Sequence, residues 1–221
     1  MNNTMVNIDY DVKKFVADGA DIDRKLQKKA TVIIDKINNG EALEKSDLKR
    51  YNSPELREFL KKIFSGNCVY CEREGCDIAH YRPKGKVEEE DEKHSGYYWL
   101  SCEITNFLWV CGTCNKAKKA KFPIKGKRVF RHSENQIDQR INSKRLRQEE
   151  PLLLNPLIHS PEDHLRVNYS GGIVPVKNSE KGEKTIEVCK LDRETLIHTR
   201  KKIIDNFFGR LIKRYNTLRK Y

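Results

Sequence analysis

Four cysteines stand in two pairs of identical spacing, Cys68-Val69-Tyr70-Cys71 and Cys111-Gly112-Thr113-Cys114. Each pair offers two thiolates from one tight turn, and two such turns close a tetrahedral S4 site suited to structural Zn²⁺. A redox dithiol would need only one pair and a thioredoxin-like βαβ context, which is absent. The 39 residues between the knuckles exceed the spacing of a simple zinc ribbon, so something folds between them. Cys76, Cys102 and Cys189 have no partner at ligand spacing and read as buried or incidental thiols.

Within and just after this box lie Asp77-Ile78-Ala79-His80-Tyr81-Arg82-Pro83-Lys84, Tyr97-Tyr98-Trp99-Leu100, Thr105-Asn106-Phe107-Leu108-Trp109-Val110 and Cys114-Asn115-Lys116-Ala117-Lys118. Ile78, His80 and the break at Pro83 suit a short strand. Phe107–Cys111 suits a second strand, and the Ala- and Lys-rich stretch from Thr113 to Lys121 suits a helix ended by Phe122-Pro123. The order strand, loop, strand, helix puts a histidine at the end of one strand and an asparagine near the start of a helix. An imidazole takes a proton from water at neutral pH. A hydrated divalent cation stabilises charge on a phosphate and its leaving oxygen. A lone histidine would read as an ordinary surface or core residue. Asn106 and Asn115 beside the knuckles favour the catalytic reading of His80.

The flanking elements are read as scaffold. Residues of about 10–63 are helical, with Ile22, Leu26, Ile33 and Ile37 near a 3.6-residue period and Asn38-Asn39-Gly40 as a stop. Ser53 caps a second helix with Pro54 at its first position and Leu56, Phe59, Leu60 and Ile63 on its apolar side. Downstream, Pro151–Pro156 is an apolar plug, and Leu165, Val167 and Tyr169 alternate into the turn Ser170-Gly171-Gly172, which predicts a hairpin with Ile173–Val176. Ile186 and Val188 predict a short strand. A long helix follows Asp192, with Leu196, Ile203, Ile204, Phe207, Leu211, Tyr215 and Leu218 on one side as a core stripe. The segments expected are an N-terminal helical region (1–63), a zinc-bound core (64–132) and a C-terminal α/β region (133–221).

The formal net charge is +12 over 221 residues, and it is unevenly placed. Residues 113–132 hold eight basic side chains and no acidic one, and residues 193–221 hold nine basic and two acidic. The rest of the chain is slightly acidic, with Glu88–Glu92 as an exposed loop that repels nucleic acid. Two basic zones on an acidic body read as a footprint for phosphates, against a solvated helix face as the plainer alternative for the C-terminal zone. No run is apolar enough to cross a bilayer, and the start lacks a signal pattern, so a cytoplasmic protein is expected. His159 and His164 lack clustered Cys or acidic partners and read as loop histidines, as do His94, His132 and His198, with His132 closing the first basic zone.

The stretch resembles the ββα-metal finger of HNH endonucleases. The series His80-Tyr81-Arg82-Pro83-Lys84, Tyr97-Tyr98-Trp99-Leu100, Asn106, Cys-x-x-Cys-Asn115, Phe122-Pro123-Ile124 and Glu149–Pro156 is similar to one subgroup, the retron-associated and Septu-type (PtuB-like) proteins of bacterial phage defence. The resemblance covers about residues 64–200. It implies an α+β fold, a zinc-stapled ββα-metal finger in a mainly helical scaffold with a small C-terminal hairpin. It implies a metal-dependent endonuclease acting on DNA or RNA, with His80 as general base, Asn106 orienting it, and Asn115 as a ligand of a catalytic Mg²⁺ or Mn²⁺. It implies structural zinc on Cys68, Cys71, Cys111 and Cys114, and phosphate contacts from Arg82 and Lys118, to which the basic positions Lys84, Lys116 and Lys119 are added. It also implies a PtuA-like ATPase partner of the ABC/SMC kind, since the chain has no phosphate-binding Gly-x-x-x-x-Gly-Lys-Ser/Thr loop of its own.

One position departs from the pattern. HNH fingers place an acidic metal ligand immediately before the base, and this chain has Ala79. Asp77, on the same strand face, reaches the metal; or His80, Asn115 and substrate phosphate hold it; or the site is weak and the chain is a zinc-stapled module that binds nucleic acid or docks a partner.

Overall fold

The computed structural model describes residues 12–89, 96–130 and 143–218. His94, Arg131, His132 and positions 90–92 of the acidic block lie outside the described residues.

The chain opens with α1 (Val12–Asp18) and α2 (Ala20–Asn38). Leu26, Ala30 and Ile33 recur at four- and three-residue intervals, so α2 turns one stripe into the core. Gly40 ends it with φ +75°, in the left-handed region that favours glycine, while its N–H bonds the Ile37 carbonyl at 3.0 Å. Asp47 is buried on the way to the next helix. It accepts from Lys36 Nζ at 3.0 Å, Arg50 Nη2 at 2.9 Å and the Glu44 N–H at 3.0 Å. That backbone bond and the two cations hold its carboxyl at about 2. Helix α3 (Pro54–Ile63) starts as its sequence predicts: Ser53 Oγ accepts the Leu56 N–H at 3.2 Å and Pro54 occupies the first turn.

The centre is the antiparallel pair β1 (Asp77–His80) and β2 (Phe107–Val110), followed at once by α4 (Gly112–Lys118). Register pairs Asp77 with Val110, Ile78 with Trp109, Ala79 with Leu108 and His80 with Phe107. The short helix α5 (Lys144–Arg147), the hairpin β3 (Leu165–Val167) and β4 (Ile173–Pro175), α6 (Glu180–Cys189) and α7 (Glu194–Leu218) complete the chain. This is a mixed α+β architecture with two separate two-stranded sheets. Buried side chains from all three expected segments join one core, from Phe15 to Leu196. No helix among the described residues is long and apolar enough to cross a membrane.

Two expectations are corrected here. Ile186 and Val188 do not form a strand; they lie in α6, which Ser179 caps by accepting the Gly182 N–H at 3.1 Å. Gly182, Thr185, Val188 and Cys189 are its buried face, a three- and four-residue period that the two alternating apolar residues masked. The stripe of α7 is not core either. Only Leu196 of that helix is buried, and Phe208, Leu211 and Leu218 are 42%, 47% and 71% exposed.

The β1 exit is tied to the α5 region by an internal ion pair. Arg82 Nε donates to Glu149 Oε2 at 2.8 Å, and its Nη2 donates to the Leu146 carbonyl at 2.8 Å. The guanidinium lies over the Phe122 ring at 5.0 Å, near Tyr81 and Tyr97. Glu149 also accepts from Tyr97 Oη at 2.6 Å and from the Val129 N–H at 2.9 Å, so all its charge is met by donors. Removing one partner of such a pair strands the other charge in the core. Glu149→Ala should lower unfolding free energy by about 3–5 kcal/mol in chemical denaturation, the range for breaking a buried pair.

Candidate functional site

The four cysteines converge. Their sulfurs all lie within 4.8 Å of one another and all four residues are buried. Cys71 and Cys111 Sγ are 3.6 Å apart. That is the spacing of sulfurs sharing one tetrahedral ion with bonds of about 2.3 Å. The backbone of each knuckle is held by its own hydrogen bonds. The Cys68 N–H donates to the Arg73 carbonyl at 2.7 Å and the Glu72 N–H to the Cys68 carbonyl at 2.9 Å. Cys111 Sγ accepts the Cys114 N–H at 3.4 Å as the cap of α4. Hydrogen bonding from Cys68 holds the Cys111 thiol at about 6, and hydrogen bonding from Cys114 holds Cys71 far below the usual thiol range. Within the cluster Cys68 and Cys114 are pushed up as Cys71 and Cys111 are pulled down, and four buried sulfurs at this spacing are donors for a soft divalent cation, so the set fits Zn²⁺. Arg193, just before α7, places Nη2 at 3.5 Å from Cys114 Sγ, where its charge offsets the surplus negative charge of four thiolates around one dication.

The same knuckles hold the hairpin. Val69 N–H donates to the Trp109 carbonyl at 3.0 Å and Cys76 N–H to the Val110 carbonyl at 2.9 Å, fastening the first knuckle along β2. Strand alternation then puts Asp77 and Ala79 on one face and Ile78 and His80 on the other. Helix α4 comes to the Asp77 face: Asn115 Nδ2 donates to Asp77 Oδ2 at 2.9 Å. Asp77 Oδ1 accepts the Ile78 N–H at 2.8 Å and lies 3.7 Å from Arg57 Nη1. The pair is half-buried, so solvent reaches it. Ala79 is buried and offers a methyl group.

His80 sits on the opposite face. Its ring packs edge-on against Tyr51 at 4.7 Å and Phe107 at 5.1 Å between centroids. Nε2 lies 3.1 Å from the Ser101 carbonyl. A carbonyl only accepts, so Nε2 carries the proton and Nδ1 is the basic nitrogen. Burial drives the imidazole down to about 3, with the Lys84 charge adding to it. Lys84 Nζ stands 4.1 Å over the Tyr51 ring and is itself held at about 8 by burial. Asn106 does not touch His80. Its Oδ1 accepts the Arg82 N–H at 2.8 Å, and its Nδ2 donates to the Arg82 carbonyl at 3.0 Å and the Leu100 carbonyl at 3.1 Å. It clamps the strand end on one side and, on the other, the residue preceding Ser101.

The cations expected on phosphate divide. Lys116 and Lys119 are exposed and Lys84 is half-exposed. Arg82 is internal, bound to Glu149 and stacked on aromatic rings. Lys118 is also internal, with Nζ 3.4 Å from the Lys121 carbonyl and its ammonium brought down to about 8 by burial. A side chain already committed inside the core has no reach to a ligand at the surface. Local sequence could not show this, because the Arg82 partner lies 67 residues away. For the same reason it missed Tyr51, Arg57, Arg193 and the role of Glu149. Of the other thiols, Cys102 and Cys189 are buried and Cys76 is exposed. His159 Nδ1 accepts the Asn155 N–H at 3.1 Å, and His164 Nδ1 lies 2.7 Å from Ser179 Oγ, so both serve the loops around them.

Comparison with known proteins finds relatives at moderate identity. The chain is 35% identical over 162 residues to the Septu protein PtuB of Bacillus mycoides (strain KBAB4), covering 69% of this chain and 52% of that protein. The chain is similar to Septu proteins. It is also 32% identical over 175 residues to the Septu protein PtuA of the same strain, covering 76% of this chain and 23% of that protein. The chain therefore spans about half the length of the first Septu relative and under a quarter of the second. No protein-family model matches it, and no solved structure does.

Two measurements test the centre. Purified protein should contain one zinc per chain by elemental analysis, and Cys114→Ala should lose it and speed amide exchange in α4 and the first turn of α7. Protonation linkage should also be visible. His80 moves from 6.5 unfolded to about 3 folded, so its contribution to stability is full above pH 6.5 and is lost as pH falls toward 3. Unfolding between those values should take up protons, and His80→Gln should remove close to one of them.

Proposed function

We propose that this chain is a metal-dependent HNH endonuclease, the effector subunit of a bacterial anti-phage system of the Septu or retron-associated kind that works with a PtuA-like ATPase. What supports the nuclease reading is the half-buried Asp77–Asn115 pair on a hairpin stapled by four cysteines, with His80 ending the same strand on its other face. The similarity to Septu proteins supports the defence role and the partner.

In this reading His80 Nδ1 accepts the proton of the attacking water. The Ser101 carbonyl fixes the tautomer, and Asn106 fixes the loop that carries Ser101. Burial, which holds its pKa at about 3, keeps the imidazole unprotonated at neutral pH but leaves it a weak base until substrate charge is beside it. The phosphate that arrives beside it supplies the negative charge that steadies the imidazolium once it forms. Asp77 and Asn115 offer one carboxylate and one amide, a donor set that fits Mg²⁺ or Mn²⁺, ions that keep several water or phosphate ligands. Such an ion, when bound, would stabilise charge on the phosphate and the leaving oxygen. Ala79 leaves the usual acidic position empty of donors, and Asp77 serves from two residues earlier on the same face. Lys84, Lys116 and Lys119 contact backbone phosphates of DNA or RNA; Arg82 and Lys118 hold the frame.

A second reading has an observation of its own. Asp77 is already engaged by Arg57 and Asn115, and Ala79 donates nothing, which favours a zinc-stapled binding module without turnover. A cleavage assay on DNA and RNA with Mg²⁺ or Mn²⁺, with and without the ATPase, separates the two. The nuclease reading expects cleavage that falls about 10²–10⁴-fold in His80→Ala and also falls in Asp77→Ala. Binding without turnover establishes the module, and turnover indifferent to His80→Ala overturns His80 as the base.

A further inference from the structure

The first turns of α7 are moored to the body. Leu196 is buried, Arg193 reaches Cys114 Sγ, and Arg200 Nη1 donates to the Leu191 carbonyl at 2.8 Å. The β3–β4 turn presses on the same stretch: a Cβ on Gly171, which has φ +86°, would lie 2.3 Å from the Ile197 carbonyl oxygen. Beyond Lys201 no residue of α7 is buried among the described residues. The remaining 17 residues of the described helix, which would rise about 26 Å at 1.5 Å each, are exposed except for Ile204, which is half-buried.

That exposed length is not a polar helix. Ile204, Phe208, Leu211, Tyr215 and Leu218 recur at alternating intervals of four and three, the seam of a helix that pairs with another helix. Phe207 widens the seam, and Tyr169 from the hairpin tip stands 6.0 Å from Phe208, extending the apolar surface onto the body. Exposed apolar side chains in such a row mark an interaction surface rather than ordinary scatter.

The charges beside the seam select the occupant. Residues 201–218 hold five basic side chains and one acidic one, Asp205, which Lys201 already pairs. At 100° per residue Arg210 and Arg214 flank the seam on the Phe207 side. Two copies of this helix packed together would set like charges against each other, which opposes self-association. We propose that the distal half of α7 is a docking rib for an acidic amphipathic helix of a partner protein. This rests on the reading of the chain as a subunit, and gives that partnership a surface and a chemistry.

The test uses the full chain with its zinc and a fluorescent designed heptad peptide, Leu at its a and d positions and Glu at its e and g positions. Anisotropy titration should show binding. Phe208→Ser with Leu211→Ser should weaken it at least about tenfold, as loss of central apolar anchors does. The double variant should keep its helical circular dichroism and zinc content, since neither residue packs in the core. A peptide with Lys in place of Glu should bind at least about tenfold more weakly. The proposal is overturned by no binding of the acidic peptide, by equal binding of the Lys peptide, or by a double variant that binds as well. It is equally overturned by a dimer of the chain in sedimentation equilibrium that the double variant abolishes, or by single-stranded DNA binding that the same substitutions abolish. Co-purification of a PtuA-like ATPase that survives the double variant would remove this surface while leaving the partnership itself intact.

Discussion

The rest of the structure hangs on four sulfurs brought within one ion's reach. The first knuckle precedes β1 by a few residues and the second begins where β2 ends, so closing the cluster fixes both outer ends of the hairpin. Backbone bonds from Val69 and Cys76 to β2 carry that closure into strand register. Because register has a period of two, it decides which face each side chain takes. Ala79 and Asp77 go to the helix α4, and His80 goes to Tyr51. A hairpin of four-residue strands would be marginal by itself. Stapled at its open end by the cysteines and clamped at the other by Asn106, it becomes a rigid mount.

A second constraint works from the inside. Arg82 lies two residues after the histidine that ends the strand, and its internal pairing with Glu149 pulls the α5 region onto the exit of β1. Asn106 clamps the backbone of Arg82 at the same place. The position of His80 is thus set by groups that never touch its ring, through the carbonyl of Ser101 on one side and the strand end on the other. The low proton affinity of the imidazole follows from that enclosure, as does its tautomer. The charge of the chain divides along the same lines: some cations are structural members of the core, while Lys116 and Lys119 remain at the surface.

The protein also has an outer end with a different logic. Helix α7 leaves the zinc centre as a moored element and continues as an exposed one. Conformational order at its base and apolar surface at its tip suit a part that presents itself to something else.

How much could be read in advance follows from the range of each interaction. The cysteine spacing, the strand–loop–strand–helix order, the Ser53 cap, the Gly40 stop and the turn at Gly171 are local, written in neighbouring residues, and the structure has each of them. The strand expected at Ile186 was a helix, because two alternating residues fit both periods and only the buried face of α6 tells them apart. The sequence alone determined which residues could do chemistry. It could not determine which of them remain at the surface to do it. Arg82 and Lys118 look like Lys116 and Lys119 on paper, and the apolar stripe of α7 looks like core. What separated them was partners far away along the chain, or, for α7, the absence among the described residues of a core surface to meet it. Burial is a property of the packed molecule, and only tertiary structure decides it.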